Sequence, residues 1–138
     1  MKKIFFYFLF VILFTIGCND LVSTFENDEI VFKTLGNSFS TTDSIKVLIE
    51  NETHSDFDIF LRCGGYLEMY YQKKENDSWS NYLWFSWMSL KCVSVLETIK
   101  GYNNFQFIIP SDEINESGTY RLVLANDKTI VSNSFEVK

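Results

Sequence analysis

Few residues in this chain have the types and spacing that chemistry requires. The one histidine, His54, lies in "NETHSDFD" beside Glu52, Asp56 and Asp58. A His/carboxylate or calcium-binding loop would use such a set, but the stretch lacks the glycine and the ligand spacing of a calcium loop. With one histidine and no CxxC pair, zinc and dithiol chemistry have no ligands. No serine stands in a G-x-S-x-G elbow, and no glycine-rich phosphate loop is present. No residue is therefore assigned a catalytic, metal or cofactor role, and the chain is read as non-enzymatic.

What remains is the stretch "WSNYLWFSWMSL", residues 79–90, which holds all three tryptophans. From Tyr82 to Met88 both alternation phases are apolar, with Tyr82, Trp84 and Met88 on one and Leu83, Phe85 and Trp87 on the other. A half-buried strand shows one polar face. Either both sides of this segment are buried or one carries exposed aromatics, and a contiguous exposed apolar patch marks an interaction surface. Trp84, Phe85 and Trp87 are the candidate partner surface. Core packing beside Cys92, a protein or glycan partner, and membrane contact all stay open.

The elements around these residues begin with "MKKIFFYFLFVILFTIGCND". Lys2 and Lys3 precede an apolar run, Ile4 to Ile16, of thirteen residues. That is the length of a signal-peptide core, whereas a membrane-spanning helix needs about 20. Ending in Thr-Ile-Gly-Cys, the segment resembles a bacterial lipoprotein signal. The resemblance implies a signal peptide over 1–17, lipidation of Cys18, a tether over 18–28 and a domain over 29–138. It implies a lipid-anchored protein of the bacterial cell envelope, on the outer membrane or cell surface. Without Lys2 and Lys3 the chain keeps 10 basic and 18 acidic residues, a net charge of −8. Such a charge argues against nucleic acid and against docking on anionic lipid. Cys63 and Cys92 are then an even pair in an oxidising compartment, where a disulfide is the default.

Along the domain, short β-rich runs alternate with turn residues: 29–35, 44–50, 57–63, 66–73, the aromatic segment, 102–110, 118–125 and 129–138. In "SIKVLIE" Ile45, Val47 and Ile49 face one way and Lys46, Leu48 and Glu50 the other. Only "PSDEI" (110–114) suits a helical turn. The pattern predicts an all-β antiparallel sandwich of about seven to eight strands. "EINESGTYRLVL" resembles the tyrosine corner of immunoglobulin-like domains, which gives Tyr120 a structural role. "IKVLIENET", "RCGGYLEMYYQKKENDSW", Cys92, "GTYRLVL" and "SNSFEV" together resemble a bacterial immunoglobulin-like domain family. That resemblance implies a Cys63–Cys92 correspondence and places Trp79 in the core at the end of a hairpin. It implies a fold and no activity. The functional expectation is a binding or scaffolding module for an envelope protein or glycan. Its alternatives are a proteinase-inhibitor-like sandwich presenting the 84–91 loop and a purely structural spacer.

Overall fold

Alternating burial in the Ile45–Glu50 run is the seed of the architecture. In the structure, a computed structural model that describes residues 29–138, this run forms β3 (Ile45–Asn51), with Ile45, Val47 and Ile49 in the core. The signal segment 1–17, Cys18 and the tether to residue 28 lie outside the described residues. Leu48, expected on the solvent side, is also buried. β3 is a central strand, flanked by β1 (Ile30–Thr34) and β10 (Asn104–Ile109), and Leu48 stands between Lys33 and Gln106.

β4 (Phe57–Arg62) continues the path of β3, and β9 (Ser94–Ile99) leads into β10. Ile45 faces Ile109 and Glu50 faces Asn104; further on, Phe57 faces Ile99 and Arg62 faces Ser94. The four segments thus form one long antiparallel ribbon interrupted by residues 52–56 on one side and 100–103 on the other. The longer side bulges, and the ribbon bends there.

The bend is held by Asn51, which is 1% exposed. Its carboxamide nitrogen donates to the carbonyls of Ser55 at 2.8 Å and Ile99 at 2.9 Å. Its oxygen accepts from the backbone N–H of Thr53 at 3.1 Å and the Thr53 hydroxyl at 2.8 Å. A buried amide must be satisfied in this way. Gly101 is required where the two sides meet, because a Cβ there would lie 2.8 Å from the carbonyl oxygens of both Thr53 and His54. At the far end of the ribbon Cys63 and Cys92 form a disulfide, with 5.3 Å between their Cα atoms. Beside it β5 (Tyr66–Leu67) pairs with β4.

The second sheet has the order β2 (Ser38–Phe39), β12 (Phe135–Val137), β11 (Gly118–Leu124), β6 (Met69–Glu75), β7 (Ser78–Trp79), with β8 (Leu83–Trp84) also paired to β6. All pairings are antiparallel except the short one between β2 and β12. Ile49, Ile59, Leu61 and Ile109 from the ribbon and Met69, Tyr120, Leu122, Leu124 and Phe135 from the second sheet belong to one core. Burying each large apolar side chain contributes about 1.5–3 kcal/mol. The Tyr120 hydroxyl donates to the Glu116 carbonyl at 2.8 Å, so the tyrosine corner is formed.

The fold is the all-β sandwich read from the sequence. Among the described residues seven strands are five residues or longer. Three local expectations change. The strand β9 was not anticipated, because as an edge strand it exposes both faces and shows no clean alternation. Residues 129–134 are mostly loop before β12, and 110–114 is a turn without a helix. Among the described residues no helix is long and apolar enough to cross a membrane.

Two stability outcomes follow from the ribbon. Asn51→Ala removes the donor to the Ser55 and Ile99 carbonyls and the acceptor of the Thr53 N–H, and should lower unfolding free energy by about 2–3 kcal/mol in urea titrations. Opening the disulfide by Cys63→Ala plus Cys92→Ala should cost roughly 3–4 kcal/mol by the chain-entropy estimate for its 29-residue separation, seen as a lower urea midpoint.

Candidate aromatic binding face

Residues 78–84 run antiparallel beside β6, but with a change of register. Trp79 faces Lys74, whereas Trp84 faces Tyr70. One extra residue is therefore accommodated between them, as a bulge at Ser80–Tyr82. Ser80 holds that bulge against β6: its N–H donates to the Lys73 carbonyl at 2.9 Å and its hydroxyl oxygen accepts from the Lys73 N–H at 3.0 Å. Its carbonyl accepts from the Gln72 carboxamide at 2.7 Å. In a regular strand Trp79 and Trp84, five positions apart, would point to opposite faces. The bulge puts both on the outer face of the sheet, with Tyr70, Gln72 and Lys74.

After Trp84 the chain turns inward. Phe85 is 1% exposed and Trp87, in a 3-10 turn over Ser86–Ser89, is 2% exposed. Their rings stack at 4.4 Å with 3° between planes. The Trp87 indole N–H donates to the Leu67 carbonyl at 2.9 Å, and Phe107 meets the same ring edge-on. Glu113 pins the turn by accepting from the Ser86 N–H at 2.8 Å and from the Ser86 hydroxyl. Phe85 and Trp87 are thus core, and their assignment to a partner surface is corrected: the 3-10 turn breaks the strand alternation and sends Phe85, Trp87 and Met88 inward together. For the same reason 84–91 is not the extended loop that a proteinase inhibitor presents.

Trp84 alone of the three is outside, 61% exposed. It meets Tyr70 edge-on at 5.1 Å, and Tyr82 lies against Tyr70 at 5.5 Å. Lys128 sits 4.8 Å from the Tyr82 ring and 5.6 Å from the Tyr70 ring. Trp79 is not core as expected; it is half-buried on this outer face, under the Arg121 guanidinium at 4.4 Å. Arg121 is oriented by its Nε–H, which donates to Gln72 at 2.9 Å. Trp79 is thus tied to the sheet by a cation–π contact.

Sequence reasoning had set Tyr82 aside and missed Tyr70, Gln72, Arg121 and Lys128. The period-2 run Tyr70, Gln72, Lys74 carried a signal for the β6 positions. Lys128 comes from a loop and had none. His54 meets Tyr102 across the ribbon bend, with Nε2 2.8 Å from the phenol oxygen. Among the described residues no group of histidine, cysteine and carboxylate side chains could hold a metal ion.

A second depression, about 260 Å³, opens at the end of the sandwich and includes Tyr71, Lys73, Glu113, Glu116 and Tyr120. Lys73 pairs with Glu116 at 2.9 Å, and that bond raises its ammonium pKa. Burial raises the phenol pKa of both Tyr71 and Tyr120. With Lys73 protonated and both phenols neutral at physiological pH, none of these three groups is poised as a base.

No family model and no curated protein matches the chain. Solved structures similar to it include a β-glucosidase from Listeria innocua in complex with gluconolactone, at 14% identity and a TM-score of 0.44, covering 79% of this chain and 16% of that one. Another is a β-glucosidase involved in saponin metabolism from intestinal bacteria, at 11% identity and a TM-score of 0.40, covering 81% of this chain and 16% of that one. This chain matches only a small part of those much longer enzymes, and a likeness of this degree carries no activity over to it.

The division of the aromatic segment is testable by stability. Trp87→Ala and Phe85→Ala should each cost about 3–5 kcal/mol in urea unfolding, and Trp84→Ala less than about 1 kcal/mol. The phenols set an alkaline limit. A phenol pKa raised by folding favours the native state only while the phenol stays protonated. Stability should hold up to about pH 10, where the phenols of the unfolded chain ionise, and fall above it in urea midpoints read across pH 9–11.5.

Proposed function

We propose that the protein is a lipid-anchored, non-catalytic module of the bacterial cell envelope that binds a glycan through the outer face of the β6–β8–β11 sheet. The observation that carries this reading is Trp84, 61% exposed yet held in register opposite Tyr70. A large ring kept in water on an ordered strand has no packing role to account for it, and Tyr82 beside it extends the platform. Around the rings stand the hydrogen-bonding side chains of Arg121, Lys74 and Lys128, whereas the core of a protein interface is depleted of lysine. Aromatic faces flanked by charged donors suit a sugar, whose C–H face stacks while its hydroxyls are hydrogen-bonded. The anchor rests on the segment ending in Gly17-Cys18 and would place the face outside the membrane on the tether 18–28.

Full-length protein in detergent, tested on a glycan array and by affinity electrophoresis, should bind a subset of polysaccharides. Trp84→Ala should weaken that binding about tenfold or more, the equivalent of roughly 1.4 kcal/mol of lost stacking. Signals unchanged by Trp84→Ala plus Tyr82→Ala would sink the reading. An envelope protein captured in a Trp84-dependent manner, with no glycan bound, would replace the glycan by a protein ligand. Mass spectrometry of the exported chain should find Cys18 as the first residue, carrying lipid.

A further inference from the structure

The aromatic face carries a charge opposite to that of the protein. Without Lys2 and Lys3 the chain has a net charge of −8. Yet the positions of β6 on this side are Tyr70, the buried Gln72 and Lys74, and those of β11 are Thr119, Arg121 and the buried Val123, with no carboxylate among them. Loop residue Lys128 adds a third cation over the Tyr82 and Tyr70 rings.

These cations differ from others in how they are compensated. Lys33, Arg62, Lys73, Lys100 and Lys138 each have a carboxylate partner. Among the described residues no carboxylate pairs with Lys74, Arg121 or Lys128. Arg121 and Lys128 lie over aromatic rings, which position a cation without cancelling its charge. Asp127, adjacent to Lys128 in sequence, is turned into its own loop: its carboxylate accepts from the Thr129 N–H at 2.9 Å and the Thr129 hydroxyl at 2.7 Å. The acid next to Lys128 in the chain is thereby turned to Thr129. Glu136, at the far margin opposite Thr119, pairs with Lys138. Among the described residues Lys46 and Lys91 also have no carboxylate paired with them, but neither is on this face.

From this complementarity we propose that the glycan bound at the Trp84 face is anionic, bearing carboxylate or phosphate groups that Lys128 and Arg121 receive while a sugar ring stacks on Trp84. The proposal rests on the glycan-binding reading above and assigns its ligand class. Charge-assisted hydrogen bonds to carboxylate or phosphate are the strong ones, and a guanidinium or ammonium already positioned on a ring loses less freedom on binding. A cationic face on an acidic domain also gives the ligand a preferred side of approach, since the rest of the surface repels it.

The test uses the full chain in detergent and three polymer arms: a neutral glucan, a polyuronate, and a phosphodiester-linked polyol of the teichoic type. One or both anionic polymers should bind at least about tenfold tighter than the glucan at low salt. The advantage should shrink as salt rises. Which anionic arm binds tells carboxylate from phosphate. Lys128→Gln should lower the anionic affinity several-fold more than it lowers glucan binding, and Lys91→Gln, which removes a cation elsewhere, should leave both affinities unchanged. Equal affinity for neutral and anionic polymers would overturn the anionic assignment and leave the glycan reading standing. An equal loss from Lys91→Gln would overturn it too, by showing that net charge alone sets the affinity. Absence of binding to all three arms and across the array removes both.

Discussion

A long β-ribbon that bends inside a sandwich must break its ladder, and the backbone groups released by the break have to be satisfied away from water. Asn51 meets that constraint. One carboxamide bridges β3 to the end of β9 and to the 52–56 bulge, with both its nitrogen and its oxygen occupied. Gly101 lets the opposite side come close enough for the bridge to form. The ribbon carries β1 on one flank, the disulfide at its far end, and half of the core on its inner face. Ile49, Ile59 and Leu61 from the two parts of the ribbon share one core with Met69, Leu122 and Leu124 of the second sheet.

The binding face depends on a smaller register event of the same kind. One extra residue at Ser80–Tyr82 swaps the parity of the segment, so that Trp79 and Trp84 emerge on one face. Directly afterwards the 3-10 turn commits Phe85, Trp87 and Met88 to the core. The buried turn makes the exposed ring possible: with Trp87 bonded to Leu67 and Glu113 holding Ser86, Trp84 cannot rotate inward without opening the core. Five aromatics within nine residues thus serve three purposes. Phe85 and Trp87 build the interior, Trp79 is clamped beneath Arg121, and Tyr82 with Trp84 meets solvent.

Electrostatics follows the same division. Acidic residues dominate the chain, yet Asp127 beside the aromatic face is spent on a bond to Thr129, and Arg121 and Lys128 rest on rings. A surface with rings and uncompensated cations is what supports the proposed ligand, one that is polar, ring-containing and acidic. It differs from the interior-like surface of a permanent protein interface.

Patterns local in the chain were legible without any coordinates. The Ile45–Val47–Ile49 alternation, the "GTY" tyrosine corner and the spacing of turn residues depend on neighbours two to four positions apart, and they specify strands, a sandwich and the place of Tyr120. The Cys63–Cys92 pair was legible from the count of cysteines, on the expectation that Cys18 carries lipid. The identity of the exposed tryptophan was not legible, and neither were the edge strand β9 and the contribution of Lys128. Those depend on which residue of one strand faces which residue of another. A single bulged residue inverts that choice while leaving the local hydrophobic pattern almost unchanged. Composition and periodicity determined that the chain must bury aromatics in a β-sandwich; only the tertiary register, set by Ser80 on β6 and by Trp87 in the core, decided which of them it would leave outside.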